Sequence, residues 1–320
     1  MSYSYSPLAC PFPAAISPHA ATIEAATIAW ARHIGLIQGP ADIQRLQQLQ
    51  YGMLMARAYP HAALPALQLI SDWNTWLFLL DDQCDEAGLG RSPTQLSEVH
   101  ATLLDILRGG SSQQDSPCMR ALSDLTTRLR ADADTAWLER FIEQIAEYFR
   151  ANIWEAKNRA RNHTPDMAAY LAMRPYTGAV YSYLGLIEFA SQLDLPAAVH
   201  AHPTMYQLAQ MTNNIICWSN DLMSLDKEQR HGDVHNLVLV LHHAQQRSFP
   251  EAIRLVATMH DVEVKRFQSL AAHLPSFSAA TDSSLQQYVM GMRFWMRANM
   301  DWSAATARYR PLADKAPAIS

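Results

Sequence analysis

Glycine is scarce in this sequence, with 11 glycines among 320 residues, whereas an average protein contains roughly 7% glycine. The chain holds no G-x-G-x-x-G and no G-x-x-x-x-G-K-[ST] motif. Loops of these types use backbone N–H groups to cradle the phosphates of nucleotides. Any phosphate chemistry in this protein must therefore use side chains or metal ions.

Cysteine pairs and basic clusters are lacking as well. The cysteines at positions 10, 84, 118 and 217 show no C-x-x-C spacing, which favours reduced thiols over a disulfide framework or a zinc site. The formal net charge of -5 argues against a nucleic-acid groove, which normally carries clustered Lys and Arg. We expect a cytoplasmic protein without a nucleic-acid partner.

Long apolar runs are also missing. The longest, such as 76–80 and 237–241, are far shorter than the ~20 residues of a membrane-spanning helix. The first 30 residues contain no Lys or Arg and include four prolines, which differs from a secretory signal peptide. We therefore expect no stable membrane insertion.

What the sequence does contain is helical periodicity, and 49% of its residues are hydrophobic. Apolar residues recur at i, i+3, i+4 and i+7, Ser-Pro and Thr-Pro pairs indicate helix starts, and no alternating strand pattern occurs. This predicts an all-α protein of about a dozen helices. Their expected ranges are 21–38, 42–59, 64–87, 93–108, 117–131, 134–160, 165–173, 176–193, 203–229, 235–246, 250–273 and 281–306.

The chain is expected to form a single domain, because no stretch has the composition of a linker between domains. The proline-rich residues 1–20 are predicted to form an extended N-terminal strap. Residues 21–310 form the helical domain, and 311–320 form a flexible tail.

An acidic cluster ends the apolar stretch that runs from Trp73 to Leu80. Asp81 and Asp85 lie one helical turn apart, and Asp82 adjoins them. Like charges at this spacing repel, and burying them is costly unless cations compensate. Oxygen ligands of this kind suit magnesium. The alternative is a solvated acidic helix end.

A second polar stripe consists of Asn220, Ser224 and Glu228, at positions i, i+4 and i+8 of a predicted helix. This spacing aligns an amide oxygen, a hydroxyl and a carboxylate on one side, where they could hold one divalent ion. Cys217 and Asn213 continue the same stripe backwards. The alternative is an exposed polar helix face.

Together, D-D-x-x-D and the later N-D-x-x-S-x-x-x-E resemble the two metal-binding motifs of bacterial class I terpene synthases. The resemblance spans nearly the whole chain. It includes Pro11-Phe12-Pro13 and Ser17-Pro18-His19 near the start, and Trp302 followed by Arg308-Tyr309 near the end.

The resemblance implies a single helical catalytic domain over residues 21–310, with a central apolar cavity and three Mg²⁺ ions. Such an enzyme ionises a linear isoprenyl diphosphate to an allyl cation and cyclises it. Farnesyl diphosphate, giving a sesquiterpene, is the expected substrate, and geranyl diphosphate, giving a monoterpene, is the alternative. By the family pattern Asp81 is the direct ligand of two ions, and Asp82 and Asp85 support it. The third ion is held by Asn220, Ser224 and Glu228.

The resemblance also assigns the diphosphate contacts. Arg174 corresponds to the diphosphate-sensing arginine, Thr177 to the linker and the Gly178 carbonyl to the effector at a helix break. Lys227 and the pair Arg308-Tyr309 would donate to diphosphate oxygens. Without the resemblance, these basic residues would be interpreted as ordinary surface charges.

Any water in the cavity quenches a carbocation, so we expect apolar walls, with aromatic faces towards the cation. We also expect the loop after Glu228 and the Arg308-Tyr309 segment to close over the metals and exclude water. The first candidates for those aromatic faces are Phe78, Trp73, Tyr183 and Trp302. The alternative is that the aromatic residues are plain core. Trp218 and Trp295 are further candidates.

Other functions fit the sequence less well. The pairs His200/His202 and His242/His243 lack a metallohydrolase spacing, and no G-x-S-x-G motif occurs. A prenyl chain elongase would carry a second D-D-x-x-D where residues 220–228 stand. A non-catalytic helical protein that binds magnesium and anionic lipid would not need the full ligand set. A homodimer is the default oligomer, and the sequence does not distinguish a hydrocarbon product from an alcohol.

Overall fold

Helices account for all the regular secondary structure in residues 7–86, 88–111 and 116–309, which the computed structural model describes, the side chains of 83–86 excepted. The predicted all-α, single-domain fold is confirmed. Within these ranges the elements are α1 (Ala20–Ile34), α2 (Pro40–Leu49), α3 (Tyr51–Ala58), α4 (Leu64–Glu86), a 3-10 turn (Leu89–Arg91), α5 (Pro93–Leu107), α6 (Pro117–Asp132), α7 (Thr135–Ala160), α8 (Met167–Thr177), α9 (Val180–Ser191), α10 (Ala197–His200), α11 (Pro203–His231), α12 (Leu237–Ala244), α13 (Phe249–Ala271) and α14 (Ala279–Ala305).

Polar side chains cap many of these helices. Ser116 accepts a hydrogen bond from the Met119 N–H at the start of α6, and Asp134 accepts one from the Trp137 N–H at the start of α7. Such caps satisfy backbone donors that have no partner inside the helix. The predicted starts at Pro93 and Pro117 agree with the structure, since proline at a helix start has no N–H to lose.

Several predicted boundaries are wrong, among them the end of the first helix, which stops at Ile34 and not at residue 38. The helix expected over 42–59 is interrupted by Gln50, whose φ of 56° separates α2 from α3. Helix α8 continues through Pro175 to Thr177, and the chain turns at Gly178 and at Ala179, whose φ is 54°. Hydrophobic periodicity averages over a window of residues and does not register a left-handed turn at one position. The short helix α10 was not predicted.

Helix α4 lies at the centre of the fold, packed against α1, α3, α6 and α9, and α11 packs against α13 and α14. The core behind α4 contains aliphatic side chains and a group of aromatic rings. The Trp73 ring lies 5.1 Å from that of Trp76 and 4.9 Å from that of Phe141. Helix α4 is buried on several sides and ends in the acidic cluster. The polar stripe of α11 lies close to that end of α4.

Residues 7–19 contain no helix and contact α3, α13 and, through Arg297, α14. The Ser17 N–H donates to the Ala56 carbonyl of α3 at 2.9 Å. The Ala9 N–H donates to Asp261 of α13, and the Phe12 ring meets Phe267 edge-on at 5.6 Å.

The final residues 311–320, predicted as a tail, lie outside the described residues. In the part of the chain that the structure describes, no helix is long and apolar enough to cross a bilayer.

Candidate active site

A cavity opens between α4, α8, α9, α11 and α14. Leu77 and Phe78 of α4 line it before Asp81, and Ile216 of α11 lines it before Asn220. Polar groups therefore gather at one end and apolar groups at the other. The polar end is lined by Asp81, Arg174, Asn220, Ser224, Lys227, Glu228, Arg308 and Tyr309.

The two adjacent acids of α4 have different surroundings. The Asp82 side chain is buried and accepts hydrogen bonds from Arg308 Nη1 at 2.9 Å and Arg45 Nη2 at 3.2 Å. Lys227 Nζ lies 3.9 Å from the same carboxylate. Asp81 opens onto the cavity, with 41% of its side chain exposed, and its nearest cation is Arg308 at 3.4 Å. Asp82 is thus enclosed by cations, whereas Asp81 is available to a ligand.

The cavity walls also affect the ionisation of Asp81. Desolvation raises the pKa of this carboxyl, the Arg308 guanidinium opposes that shift, and the neighbouring Asp82 carboxylate adds to it. Asp85 follows Asp81 one turn later on α4, but its side chain lies outside the described residues.

On α11 the three stripe residues all line the cavity. Asn220 Oδ1 accepts from Arg174 Nη2 at 3.1 Å, and its Nδ2 donates to the Tyr309 hydroxyl at 2.8 Å. The Ser224 hydroxyl donates to the Asn220 carbonyl at 2.7 Å. Glu228 accepts from Asn236 Nδ2 at 2.7 Å. Burial, together with the Asp221 and Asp233 carboxylates, raises the pKa of Glu228 to about 7.

Arg174 is anchored by a residue to which the sequence assigned no role. Its Nε and Nη2 atoms donate to Asp221 Oδ1 at 3.1 and 2.8 Å. Asp221 is fully buried and also accepts from the Tyr170 hydroxyl and the Leu237 N–H. Two N–H groups that donate to one charged oxygen restrict the rotation of the guanidinium. Asp221 therefore holds Arg174 at the polar end of the cavity.

The turn after Arg174 is packed tightly against α11. Thr177 Oγ1 accepts from Arg174 Nη1 at 3.4 Å. A Cβ atom at Gly178 would lie 2.7 Å from Cys217 Sγ, closer than real carbon contacts allow. Glycine is required here because the backbone approaches α11 so closely, and the Cys217 side chain of the predicted stripe is indeed at this contact.

The break between α2 and α3 receives the end of α14. The Leu49 carbonyl accepts from Trp302 Nε1 at 2.8 Å and from Thr306 Oγ1 at 2.9 Å, and the Gln48 carbonyl accepts from the Ala307 N–H at 3.0 Å. Carbonyls at a helix end have no partner inside the helix and are free to accept such bonds. These hydrogen bonds hold the chain just before Arg308 and Tyr309 and so position both residues at the cavity.

Tyr51, for which the sequence predicted no role, is a further hydrogen-bond partner of Arg308. Its hydroxyl accepts from Arg308 Nη1 at 2.9 Å, and its ring stacks on Phe78 at 4.5 Å. The Arg308 guanidinium lies 4.8 Å from the Phe78 ring centre. Burial raises the pKa of the Tyr51 hydroxyl, so it stays protonated and neutral beside the arginine.

Phe78, Tyr183 and Trp302 all line the cavity, and so does Trp295. The Trp302 ring lies 5.7 Å from Phe78, and the Trp295 ring lies 4.8 Å from Tyr183. Trp73 and Trp218 were also expected here, and that expectation is wrong. Trp73 packs in the core, and Trp218 packs with a separate apolar cluster beneath α12.

A second charged group lies at the rim, on the loop after α11. Asp233 accepts from Arg159 Nη2 at 2.9 Å, and its other oxygen lies 2.9 Å from His235 Nδ1. Desolvation raises the pKa of Asp233, but His235 and Arg159 outweigh it and hold the pKa well below its usual range. These contacts tie the loop to α7, which carries Arg159.

Comparisons with known proteins agree on one family. The model described as terpene synthase family 2, C-terminal metal binding, matches residues 72–266, which include both polar motifs. The (+)-T-muurolol synthase ((2E,6E)-farnesyl diphosphate cyclizing) of Roseiflexus castenholzii is 46% identical over 305 residues, covering 95% of this chain and 93% of that protein. The 10-epi-cubebol synthase of Sorangium cellulosum is 36% identical, covering 94% and 97% respectively.

A solved structure has the same fold. The germacradien-4-ol synthase of Streptomyces citricolor is 27% identical, with a TM-score of 0.82, over 94% of this chain and 99% of that chain. The shared fold and the matching family model together indicate a helical lyase with a metal-binding domain. The chain belongs to terpene synthase family 2 and is a bacterial class I terpene synthase.

Proposed function

We propose that this enzyme uses Mg²⁺ to ionise farnesyl diphosphate and cyclises the resulting cation to a sesquiterpene. The observation that carries the proposal is the division of one cavity into an end with acidic, amide and cationic groups and an end with aromatic walls. The (2E,6E)-farnesyl diphosphate named for the relative from Roseiflexus castenholzii supports the choice of substrate. Nothing favours geranyl diphosphate, the smaller alternative.

The donor set fits magnesium. The Asn220 amide, the Ser224 hydroxyl and the Glu228 carboxylate supply oxygen atoms on one side of α11. Glu228, whose pKa is raised to about 7, is a buried acid that a nearby cation would stabilise in its charged form. We assign one ion to these three residues and two to Asp81, with Asp82 and Asp85 in support. Bound magnesium would act as a Lewis acid that neutralises the leaving diphosphate.

The diphosphate would meet four donors from this chain, which are Arg174, Lys227, Arg308 and Tyr309. Arg308 and Lys227 both face Asp82, and Arg45 adds a third cation to that carboxylate. Arg308 and Lys227 also line the cavity, so both can donate to an anionic ligand from their positions beside Asp82. Arg174 would sense the diphosphate and pass its displacement through Thr177 to the Gly178 carbonyl, since all three lie on one turn.

The aromatic end would hold the carbocation. Phe78, Tyr183 and Trp302 line the cavity, and aromatic rings attract cations without reacting with them. Their walls also keep bulk water away from the cation.

Metal use is tested most cleanly on α11. Glu228→Gln should raise the Mg²⁺ concentration needed for half-maximal diphosphate release from farnesyl diphosphate by about tenfold or more, since one charged ligand is lost. Asp226→Asn is the matched control, because Asp226 is on the same helix and does not line the cavity. Equal magnesium dependence in both variants would contradict the assignment of Glu228.

A further inference from the structure

An asparagine interrupts the aromatic wall of the cavity. Trp295, Asn299 and Trp302 all line the cavity, and their spacing of four and three residues places them on one face of α14. Asn299 is 6% exposed. An amide between two tryptophans is out of place in a cavity that must stabilise a carbocation, unless its polar atoms have a use.

The hydrogen bonds of Asn299 determine which end of the amide is free. Its Nδ2 donates to Ser219 Oγ at 2.9 Å, and Ser219 Oγ donates to the Ile216 carbonyl at 2.9 Å. The serine has a single hydroxyl proton, so its oxygen can only accept from Asn299. The NH₂ group is therefore held against α11, and Oδ1 is left as the other end.

No residue in the described ranges donates to Asn299 Oδ1, although the side chain is more than nine-tenths buried. Other polar groups that line the apolar end are committed. The Tyr183 hydroxyl donates to Asn74 at 2.8 Å, and Cys217 Sγ donates to Asn213 at 3.1 Å. An amide oxygen that faces a cavity without a protein donor can accept from water, the partner that such polar groups most often take.

We propose that Asn299 binds one water in the cavity and that this water captures the last carbocation, so that a sesquiterpene alcohol is among the products. This inference rests on the proposed cyclisation of farnesyl diphosphate. The water donates one proton to Oδ1, which turns its lone pairs away from the amide and towards the space between Trp295 and Trp302. Asn299 is thereby a specificity-determining residue for the final step.

The capture step balances without an oxidant or a reductant. A lone pair of the water oxygen forms the new C–O bond to the cationic carbon, and no bond of the carbon skeleton breaks. The resulting oxonium then loses one proton to the diphosphate anion that was released in the ionisation. In the absence of the water, a carbon next to the cation would lose a proton instead, and the product would be a hydrocarbon.

The test uses the full chain with Mg²⁺ and farnesyl diphosphate in H₂¹⁸O, with products separated by gas chromatography and identified by mass spectrometry. The expected result is an alcohol carrying ¹⁸O. If the wild-type enzyme releases diphosphate and forms only hydrocarbons, the role of Asn299 is wrong and the proposed function stands. If no diphosphate is released from farnesyl diphosphate, the proposed function itself is wrong.

Two variants separate hydrogen bonding from cavity shape. Asn299→Leu keeps the branching of the side chain and removes the acceptor, so the alcohol fraction of the total product should fall about tenfold, the effect of ~1.4 kcal/mol. Ser219→Ala does not touch the cavity lining but removes the group that orients the amide, so the fraction should fall as well. Ser303→Ala, a buried serine one turn further on α14 that does not line the cavity, is the control. An unchanged alcohol fraction in both Asn299→Leu and Ser219→Ala would overturn the inference.

Discussion

Arg308 Nη1 lies 2.9 Å from the Asp82 carboxylate, and each of the two side chains is only 7% exposed. A guanidinium from the end of the chain thus closes an ion pair with the acidic end of α4. Because Asp82 already has this partner, the neighbouring Asp81 is the acid that remains open to a ligand. We therefore expect Asp82 to hold the segment that carries Arg308, and Asp81, the more exposed of the two acids, to be available to a ligand.

This difference predicts opposite phenotypes for two conservative changes. Asp81→Asn should lower turnover of farnesyl diphosphate by about 10²-fold or more while the melting temperature stays near that of the wild type, because a charge that faces the reacting group is lost. Asp82→Asn should destabilise the fold by about 3 kcal/mol, since it removes the carboxylate charge that lies nearest to the buried Arg308. Thermal unfolding and diphosphate release of the two variants check this. Equal loss of stability in both would contradict the assignment.

Tyr51 is predicted to position Arg308. Tyr51→Phe removes the hydroxyl that accepts from Nη1 and keeps the ring that stacks on Phe78. One hydrogen bond to a charged group corresponds to about 1.5 kcal/mol or more, so kcat/KM should fall by roughly tenfold. Tyr206→Phe is the control, because that side chain is 58% exposed and does not line the cavity. A kcat/KM for Tyr51→Phe equal to that of the control would show that the hydroxyl has no positioning role.

The segments beside the polar end should become ordered together on ligand binding. The backbone at 232–236 and 306–309 borders the cavity through Asp233, His235, Arg308 and Tyr309, so we expect its amide hydrogen exchange to slow when Mg²⁺ and inorganic diphosphate are both present. Helix α13, which does not line the cavity, should show no such change. Exchange at 232–236 and 306–309 that is equally fast with and without these ligands would be inconsistent with closure over the metals.

The buried His100 is expected to make the free energy of unfolding decrease in acid. Its ring stacks on Phe149 at 4.1 Å with both nitrogens unpaired among the described residues, and burial lowers its pKa to about 4. In the unfolded chain, histidine takes up a proton near pH 6.5, whereas the folded chain does so only near pH 4. Folding therefore loses stability as the pH falls from about 6.5 to about 4, by up to ~3 kcal/mol in total.

The check is a comparison of urea unfolding for wild type and His100→Phe at neutral and acidic pH. The variant lacks the titrating ring, so its stability relative to wild type should rise as the pH falls from 7 to 5. The solvent-exposed His163 supplies the control His163→Phe. A difference between His100→Phe and wild type that stays constant with pH would argue against a buried neutral imidazole.

Local spacing was enough to predict the helices and the polar stripe of α11, because Asn220, Ser224 and Glu228 follow the helical repeat. It could not find Asp221 as the partner of Arg174, since that ion pair joins residues far apart in the chain. It also could not separate Trp73 from Trp295. Helix α4 is buried on several faces, so periodicity does not distinguish the face towards the core from the face towards the cavity.

The break at Gln50 is a further limit on what the sequence can predict. A single left-handed residue divides α2 from α3 and leaves the Gln48 and Leu49 carbonyls free to anchor the end of α14. Neither the break nor its partner segment follows from hydrophobic spacing, since the anchor depends on contacts between the two ends of the chain. Tyr51 was missed for the same reason.

The central claim is metal-dependent cyclisation of farnesyl diphosphate. The most direct measurement incubates the purified protein with Mg²⁺ and, separately, with farnesyl, geranyl and geranylgeranyl diphosphate, and analyses a solvent extract by gas chromatography with mass detection. We predict a cyclic sesquiterpene from farnesyl diphosphate that disappears when magnesium is chelated. Cyclic product from geranyl diphosphate alone, or product formation that survives chelation, would contradict the claim.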